Sequence, residues 1–162
     1  MITQSALKEL LKYDPDTGLF AWKNRRIGVK KSLEAGSMQK NGYFVIGIRG
    51  KKYYSHRLAW LHEKGEFPPD NIDHINGNRQ DNRMCNLRAA SVQQNNFNRA
   101  AQRNNKSGYK GVCWSGIKRK WQADICLEGR HVCLGYFHSP AMAHLAYCKA
   151  AKKHFGEYAR YA

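Results

Sequence analysis

Ile72-Asp73-His74-Ile75-Asn76-Gly77 stands near the middle of the chain, followed by Asn86-Leu87-Arg88 and by Ser91-Val92-Gln93-Gln94-Asn95. Residues 72–75 and Leu87–Ala90 read as two short strands, with an asparagine-rich loop between them. Ser91-Val92-Gln93-Gln94 is a capping box, in which the serine oxygen takes an orphan amide and the glutamine reaches back, so a helix opens there. Ile72, Ile75, Leu87 and Val92 are apolar residues set among the asparagines, which a disordered linker would not need. Strand, loop, strand, helix is the predicted order, and it marks an α+β chain.

Hydrolysis of a phosphodiester needs a water, a base to deprotonate it and a cation to neutralise developing charge. Adjacent residues on a strand point to opposite faces, so Asp73 and His74 flank a site. Asp73 is placed to bind a metal and His74 to activate water. Asn95, one turn into the helix, offers a second oxygen ligand, with Asn96 as the adjacent alternative. One carboxylate and one amide suit a single hard ion, Mg²⁺ or Mn²⁺, and do not suit zinc. An isolated Asp-His pair reads more readily as a surface loop pair; the ordered elements and the charge of the chain set this one apart.

The 162 residues make one ordinary domain or two very small ones. Lysine and arginine outnumber the acids 28 to 12, a net +16 that calls for a polyanion, of which nucleic acid is the common case. No apolar run reaches membrane length, so no membrane partner is expected. The five cysteines are odd in number and form no CxxC pair. They read as reduced thiols of a cytoplasmic protein, used for packing. Lys23, Arg25, Arg26, Lys30 and Lys31 form a basic run that suits either DNA backbone or a solvated loop.

Outside the middle segment, Ala6, Leu7, Leu10 and Leu11 share a helical face, and Asp14-Pro15-Asp16-Thr17-Gly18 supplies turn chemistry after it. Residues 42–48 and 52–55 read as strands joined by a turn at Arg49-Gly50-Lys51. Ser55–Lys64 reads as a helix with Leu58 and Leu61 inwards and Gly65 as its stop. Asn104-Asn105-Lys106-Ser107-Gly108 is the expected linker. Beyond it come three strand-like runs, 109–114, Lys120–Leu127 and 131–137, with a tight turn at Glu128-Gly129-Arg130. A final helix starts at Ser139-Pro140, with Met142, Leu145, Ala146 and Ala150 as its apolar stripe and Gly156 as its end. Lys110, Trp114, Lys118, Lys120, Trp121 and Arg130 interleave basic and aromatic character, as a sheet face offered to DNA does, unless the tryptophans are core.

Asp73-His74-Ile75-Asn76-Gly77, Asp81-Asn82-Arg83, Asn86-Leu87-Arg88 and Asn95 together resemble the HNH endonucleases of the phage and intron-homing type. Tyr54-Ser55-His56-Arg57-Leu58-Ala59-Trp60 is similar to the segment that precedes the motif in that family. The resemblance implies a ββα-metal (His-Me) finger clasping one ion, with Asp73 as ligand and His74 as general base. It further implies that Asn86 pins the loop that orients His74, and that Asn95 stands where many members carry histidine. Arg57 is placed to reach the scissile phosphate or to make a structural ion pair. Lys110-Gly111-Val112, Lys120-Trp121-Gln122-Ala123-Asp124-Ile125 and Leu134-Gly135-Tyr136-Phe137 resemble the AP2 domain, a DNA-binding fold of three antiparallel strands packed on one helix. The implied organisation is a nuclease domain at 1–103 (helix and strands 1–66, finger 67–103), a linker at 104–108 and an AP2-like domain at 109–162. The implied function is a site-preferring endonuclease on double-stranded DNA, monomeric and nicking, phage-encoded and acting in the cytoplasm of a bacterial host. The alternative is a non-catalytic, sequence-specific DNA-binding regulator with the finger as a structural relic.

Overall fold

A computed structural model describes residues 1–24, 34–102 and 104–161. Arg25, Arg26, Lys30 and Lys31 of the basic run lie outside the described residues. The chain divides into two compact units, Met1–Val92 and Gln93–Ala162. That division falls one residue into the helix of the expected finger, whereas the sequence places the linker after it.

In the first unit, helix α1 (Gln4–Leu10) is capped by Thr3, whose hydroxyl accepts from the Ala6 N–H. The helix is shorter than its apolar pattern suggests. Leu11 already belongs to strand β1 (Leu11–Tyr13), which pairs antiparallel with β2 (Phe20–Trp22). Leu11 and Tyr13 are buried and Lys12 is exposed, the period of two that a strand imposes. Leu11 would be buried on either reading, so the helical stripe alone could not place the boundary. The Asp14-Pro15-Asp16-Thr17-Gly18 run therefore closes a hairpin and does not end the helix. The Asp14 carbonyl accepts from Gly18 N–H at 2.8 Å, with Gly18 at φ +73°.

Strands β3 (Ser37–Met38), β4 (Phe44–Ile48) and β5 (Lys51–Tyr54) form an antiparallel sheet in that order. β5 runs straight into α2 (Ser55–Lys64), which Gly65 ends in the left-handed region at φ +87°. Then come β6 (Asn71–His74) and β7 (Leu87–Ala90), paired antiparallel as the sequence predicts. Leu7, Leu11, Phe20, Ile46, Leu58 and Leu87 sit in the single core of this unit.

Helix α3 (Val92–Phe97) opens directly after Ser91. In the second unit, β8 (Val112–Ser115), β9 (Lys120–Leu127) and β10 (Arg130–Phe137) form an antiparallel sheet with β9 central. Glu128 and Gly129 both have positive φ, the two-residue hairpin turn that matches strand twist. Helix α4 (Pro140–Phe155) packs on the sheet. Its buried stripe is Ala143, Tyr147, Ala151 and Phe155, one position on from the expected Met142, Ala146 and Ala150, and Met142 and Leu145 are more than half exposed. The cause is Gly111, whose missing Cβ leaves room for the Tyr147 ring to lie against the chain and so fixes the helix rotation. Ser139 stands at the N-cap without a side-chain bond to the helix.

Two further expectations change. Residues 104–108 are hydrogen-bonded rather than a loose spacer: Asn105 Oδ1 accepts from the Ser107 N–H, and the Ser107 hydroxyl donates to the Val112 carbonyl. Of the cysteines only Cys148, half-buried, packs against a core, whereas Cys85, Cys113, Cys126 and Cys133 are exposed, and all five are free thiols. Among the described residues, no helix is long and apolar enough to cross a membrane. The rotation of α4 sets a prediction. Tyr147→Ala removes a buried ring and should cost about 3–5 kcal/mol, whereas Leu145→Ala should stay within about 0.5 kcal/mol of wild type; urea unfolding followed by far-UV circular dichroism compares them.

Candidate active site

The β6–β7 register sets Asp73 opposite Arg88 and His74 opposite Leu87. Both Asp73 and His74 are buried, at 4% and 5% exposure. Arg88 donates from Nε and Nη2 to one oxygen of Asp73, Oδ2, at 2.9 and 2.7 Å. A buried carboxylate is thus neutralised by a cross-strand cation.

His74 Nε2 lies 3.2 Å from Asn82 Oδ1. The Asn82 amide nitrogen donates to the Gln80 carbonyl, so the amide oxygen faces the imidazole and Nε2 is the donor. Burial pushes the His74 pKa down, against the opposing pull of the Asn82 bond and of Asp73. The ring is therefore neutral at physiological pH, with its lone pair on Nδ1. Asn82 is itself 2% exposed. The sequence quotes it only inside Asp81-Asn82-Arg83; in an asparagine-rich loop no local signal separates it from its neighbours.

The loop after His74 is tied by Asn86. Its Oδ1 accepts from Asn76 N–H at 2.9 Å and its Nδ2 donates to the Asp81 carbonyl at 2.8 Å. Asn86 also offers its main-chain carbonyl to Ile75 N–H. Asp81 and Arg83 form a two-point ion pair at 2.7 and 2.6 Å, and this bond with Arg83 draws the Asp81 pKa down to about 2.

His56, in the first turn of α2, packs its ring 5.2 Å from that of His74, with Tyr43 and Tyr54 on other sides. Its Nδ1 is buried without a hydrogen-bond partner. Burial, then repulsion from His74 and Arg57, brings its pKa down to about 3. The remaining arginines near the motif are engaged. Arg57 donates to the Asp70 carbonyl at 3.4 Å and lies over Phe67, and Arg79 donates to the Asn41 carbonyl at 2.8 Å over Tyr43.

Asn95 and Asn96 fall on α3, with Asn95 half-buried and Asn96 exposed. They belong to the second unit. Among the described residues, no three His, Cys, Asp or Glu side chains gather into a metal-binding group. At the finger the buried Asp73 carboxylate is a hard oxygen donor. That chemistry fits an ion which keeps most of its waters and takes the rest of its shell from substrate, as magnesium does.

In the second unit the expected DNA-facing residues separate. Trp114, Lys118 and Arg130 are exposed, and Lys120 and Trp121 half-buried. Trp121 packs at the core edge, the position alternation left open for it, and Trp114 meets it edge-on at 5.2 Å. Lys110 points its ammonium at the Phe97 carbonyl, 2.8 Å away, beside the Tyr147 ring. Burial, then repulsion from Arg160, lowers its pKa to about 8. On the open side of the sheet Gln122 donates to both oxygens of Asp124, which also accepts from Cys113. A carboxylate therefore holds the middle of that face, and Lys118, Lys120 and Arg130 stand at its ends.

The buried His56 sets a pH dependence. Its pKa is about 3 folded and about 6.5 unfolded. Between those values the unfolded chain binds the proton and the folded chain does not, so stability is full above about pH 6.5 and falls as pH drops. His56→Phe fills the same volume and removes the orphaned nitrogen. Its melting temperature should match or exceed wild type at neutral pH and fall less on going to about pH 5.

Residues 53–97 match the family model described as HNH endonuclease. Protein 3.8 of Escherichia phage T7 is 33% identical over 85 residues, covering 49% of this chain and 70% of that protein. The uncharacterized HNH endonuclease L560 of Acanthamoeba polyphaga mimivirus is 30% identical over 121 residues, covering 74% of this chain and 62% of its own length. The solved HNH homing endonuclease I-HmuI, described for DNA binding and cleavage, is 26% identical with a TM-score of 0.42, over 54% of this chain and 50% of that one. A score that low establishes no common fold. The chain spans less than two thirds of the mimivirus protein and half of I-HmuI. This chain carries an HNH endonuclease domain and belongs to the family of phage T7 Protein 3.8.

Proposed function

We propose that the chain is a metal-dependent endonuclease that hydrolyses phosphodiester bonds of double-stranded DNA. The observation that carries this reading is His74, a buried imidazole kept neutral by its surroundings, beside buried Asp73 and inside the HNH region. A neutral imidazole accepts a proton from water, which an imidazolium cannot do. His74 is the general base. Asp73 would hold the divalent ion, Mg²⁺ or Mn²⁺. The bound ion supplies charge neutralisation at the scissile phosphate and the leaving oxygen. Asn86 ties the loop so that the imidazole keeps its angle, and Arg88 holds the Asp73 carboxylate aimed along the strand pair.

Duplex contacts come from Arg57 and from the C-terminal sheet, an AP2-type module in this reading. There Trp114, Lys118 and Arg130 are exposed, with Lys120, Trp121 and Lys110 behind them. One finger per chain makes a monomer nick, with site preference set by the sheet. The phage T7 relative favours a phage-encoded enzyme acting in the bacterial cytoplasm.

One observation favours the regulator instead: two nitrogens of Arg88 already hold Asp73 Oδ2, so the carboxylate has a cationic partner within the protein. Supercoiled plasmid separates the two readings. The nuclease converts it to nicked circles with Mg²⁺ or Mn²⁺ and stops on addition of chelator, whereas the regulator shifts the plasmid without cutting it under either ion. Asp73→Asn keeps the shape of the buried pair and should bind duplex without cutting. Asp73→Ala strands the Arg88 charge and should also cost about 3–5 kcal/mol in stability.

A further inference from the structure

The hairpin of β1 and β2 lies outside the stretch matched by the HNH family, yet it touches the loop that serves His74. The Tyr13 hydroxyl, buried, donates to the Asn82 main-chain carbonyl at 2.8 Å. Burial pushes the Tyr13 pKa up to about 12, so the hydroxyl keeps its proton across the working range. At the tip of the same hairpin, a Cβ built on Gly18 would come within 2.6 Å of Asn82 C and 2.5 Å of Arg83 N. The hairpin backbone is therefore pressed directly against the Asn82–Arg83 peptide, and Tyr13 and Gly18 hold that residue from two points. The Asn82 side chain reaches the other way, from Gln80 to His74 Nε2.

We propose that the N-terminal hairpin is part of the nuclease site, with Tyr13, Gly18 and Asn82 as positioning residues that fix His74 in the tautomer carrying its lone pair on Nδ1. The inference rests on the reading of His74 as general base. The chain of contacts has one chemical consequence. Asn82 Oδ1 can only accept, so the neutral imidazole must place its proton on Nε2, and proton transfer from water then falls to Nδ1. Without that acceptor the neutral ring is free to populate the other tautomer, in which Nδ1 carries a hydrogen and cannot act as a base.

Long-range ¹H–¹⁵N correlation of histidine-labelled protein above about pH 7 reports the tautomer without any cleavage. The wild type should show His74 protonated on Nε2. Asn82→Leu, similar in volume and without an acceptor, should move His74 toward the Nδ1–H form and cut single-turnover nicking by about a hundredfold with KM unchanged. Tyr13→Phe, which removes one hydroxyl and keeps the ring, should shift the His74 Nε2 resonance and slow nicking several-fold. It keeps the test open if Asn82→Leu does not fold. An unchanged Nε2–H signal in Asn82→Leu, or an unaltered resonance and rate in Tyr13→Phe, overturns the proposal. A wild type that shows the expected tautomer and its loss in Asn82→Leu, but cuts no DNA, sinks the nuclease reading alone and leaves the positioning contacts standing.

Discussion

The pairing of Asn71–His74 with Leu87–Ala90 is the constraint on which the site depends. It sets Asp73 against Arg88, so that a carboxylate can be buried without an uncompensated charge. It also turns His74 into the interior beside Asn82. A slip of one residue would exchange the two faces and put Ile72 where the acid stands. Ile72 and Leu87, both buried in the core of the first unit, resist that slip through the apolar area they would lose.

Burial gives His74 its chemistry as well as its place. A surface histidine would be partly protonated near pH 6.5. The interior disfavours the imidazolium instead, and the neighbouring His56, also kept neutral by burial, adds no stable positive charge beside it. The cost is an orphaned nitrogen at His56 Nδ1. The exposed cationic charge lies elsewhere: Lys118 and Arg130 stand in the open, while Arg83 and Arg88 are committed to carboxylates.

Much of this was legible in the sequence because it was local. Ser55–Lys64, the two finger strands and Lys120–Leu127 follow from apolar period and turn residues, and their bounds agree closely with the observed elements. The asparagine that ties the loop was marked by family resemblance. What local pattern could not supply was distance along the chain. Tyr13 and Asn82 are 69 residues apart, and neither carries a signal for the other. Nothing in the neighbours of Arg88 shows that the register sets Asp73 across from it. The stripe of α4 was misplaced by one position for the same reason: Gly111, far upstream, decides which face of the helix meets the sheet.

The central claim is that one neutral, buried imidazole performs the deprotonation. Its most direct test is single-turnover nicking of supercoiled plasmid with Mg²⁺ by wild type and His74→Gln, at protein concentrations where both bind the plasmid fully. The account predicts nicked circles from the wild type and a loss of about 10²–10⁴-fold in the variant with binding retained; equal rates from the two proteins would contradict it.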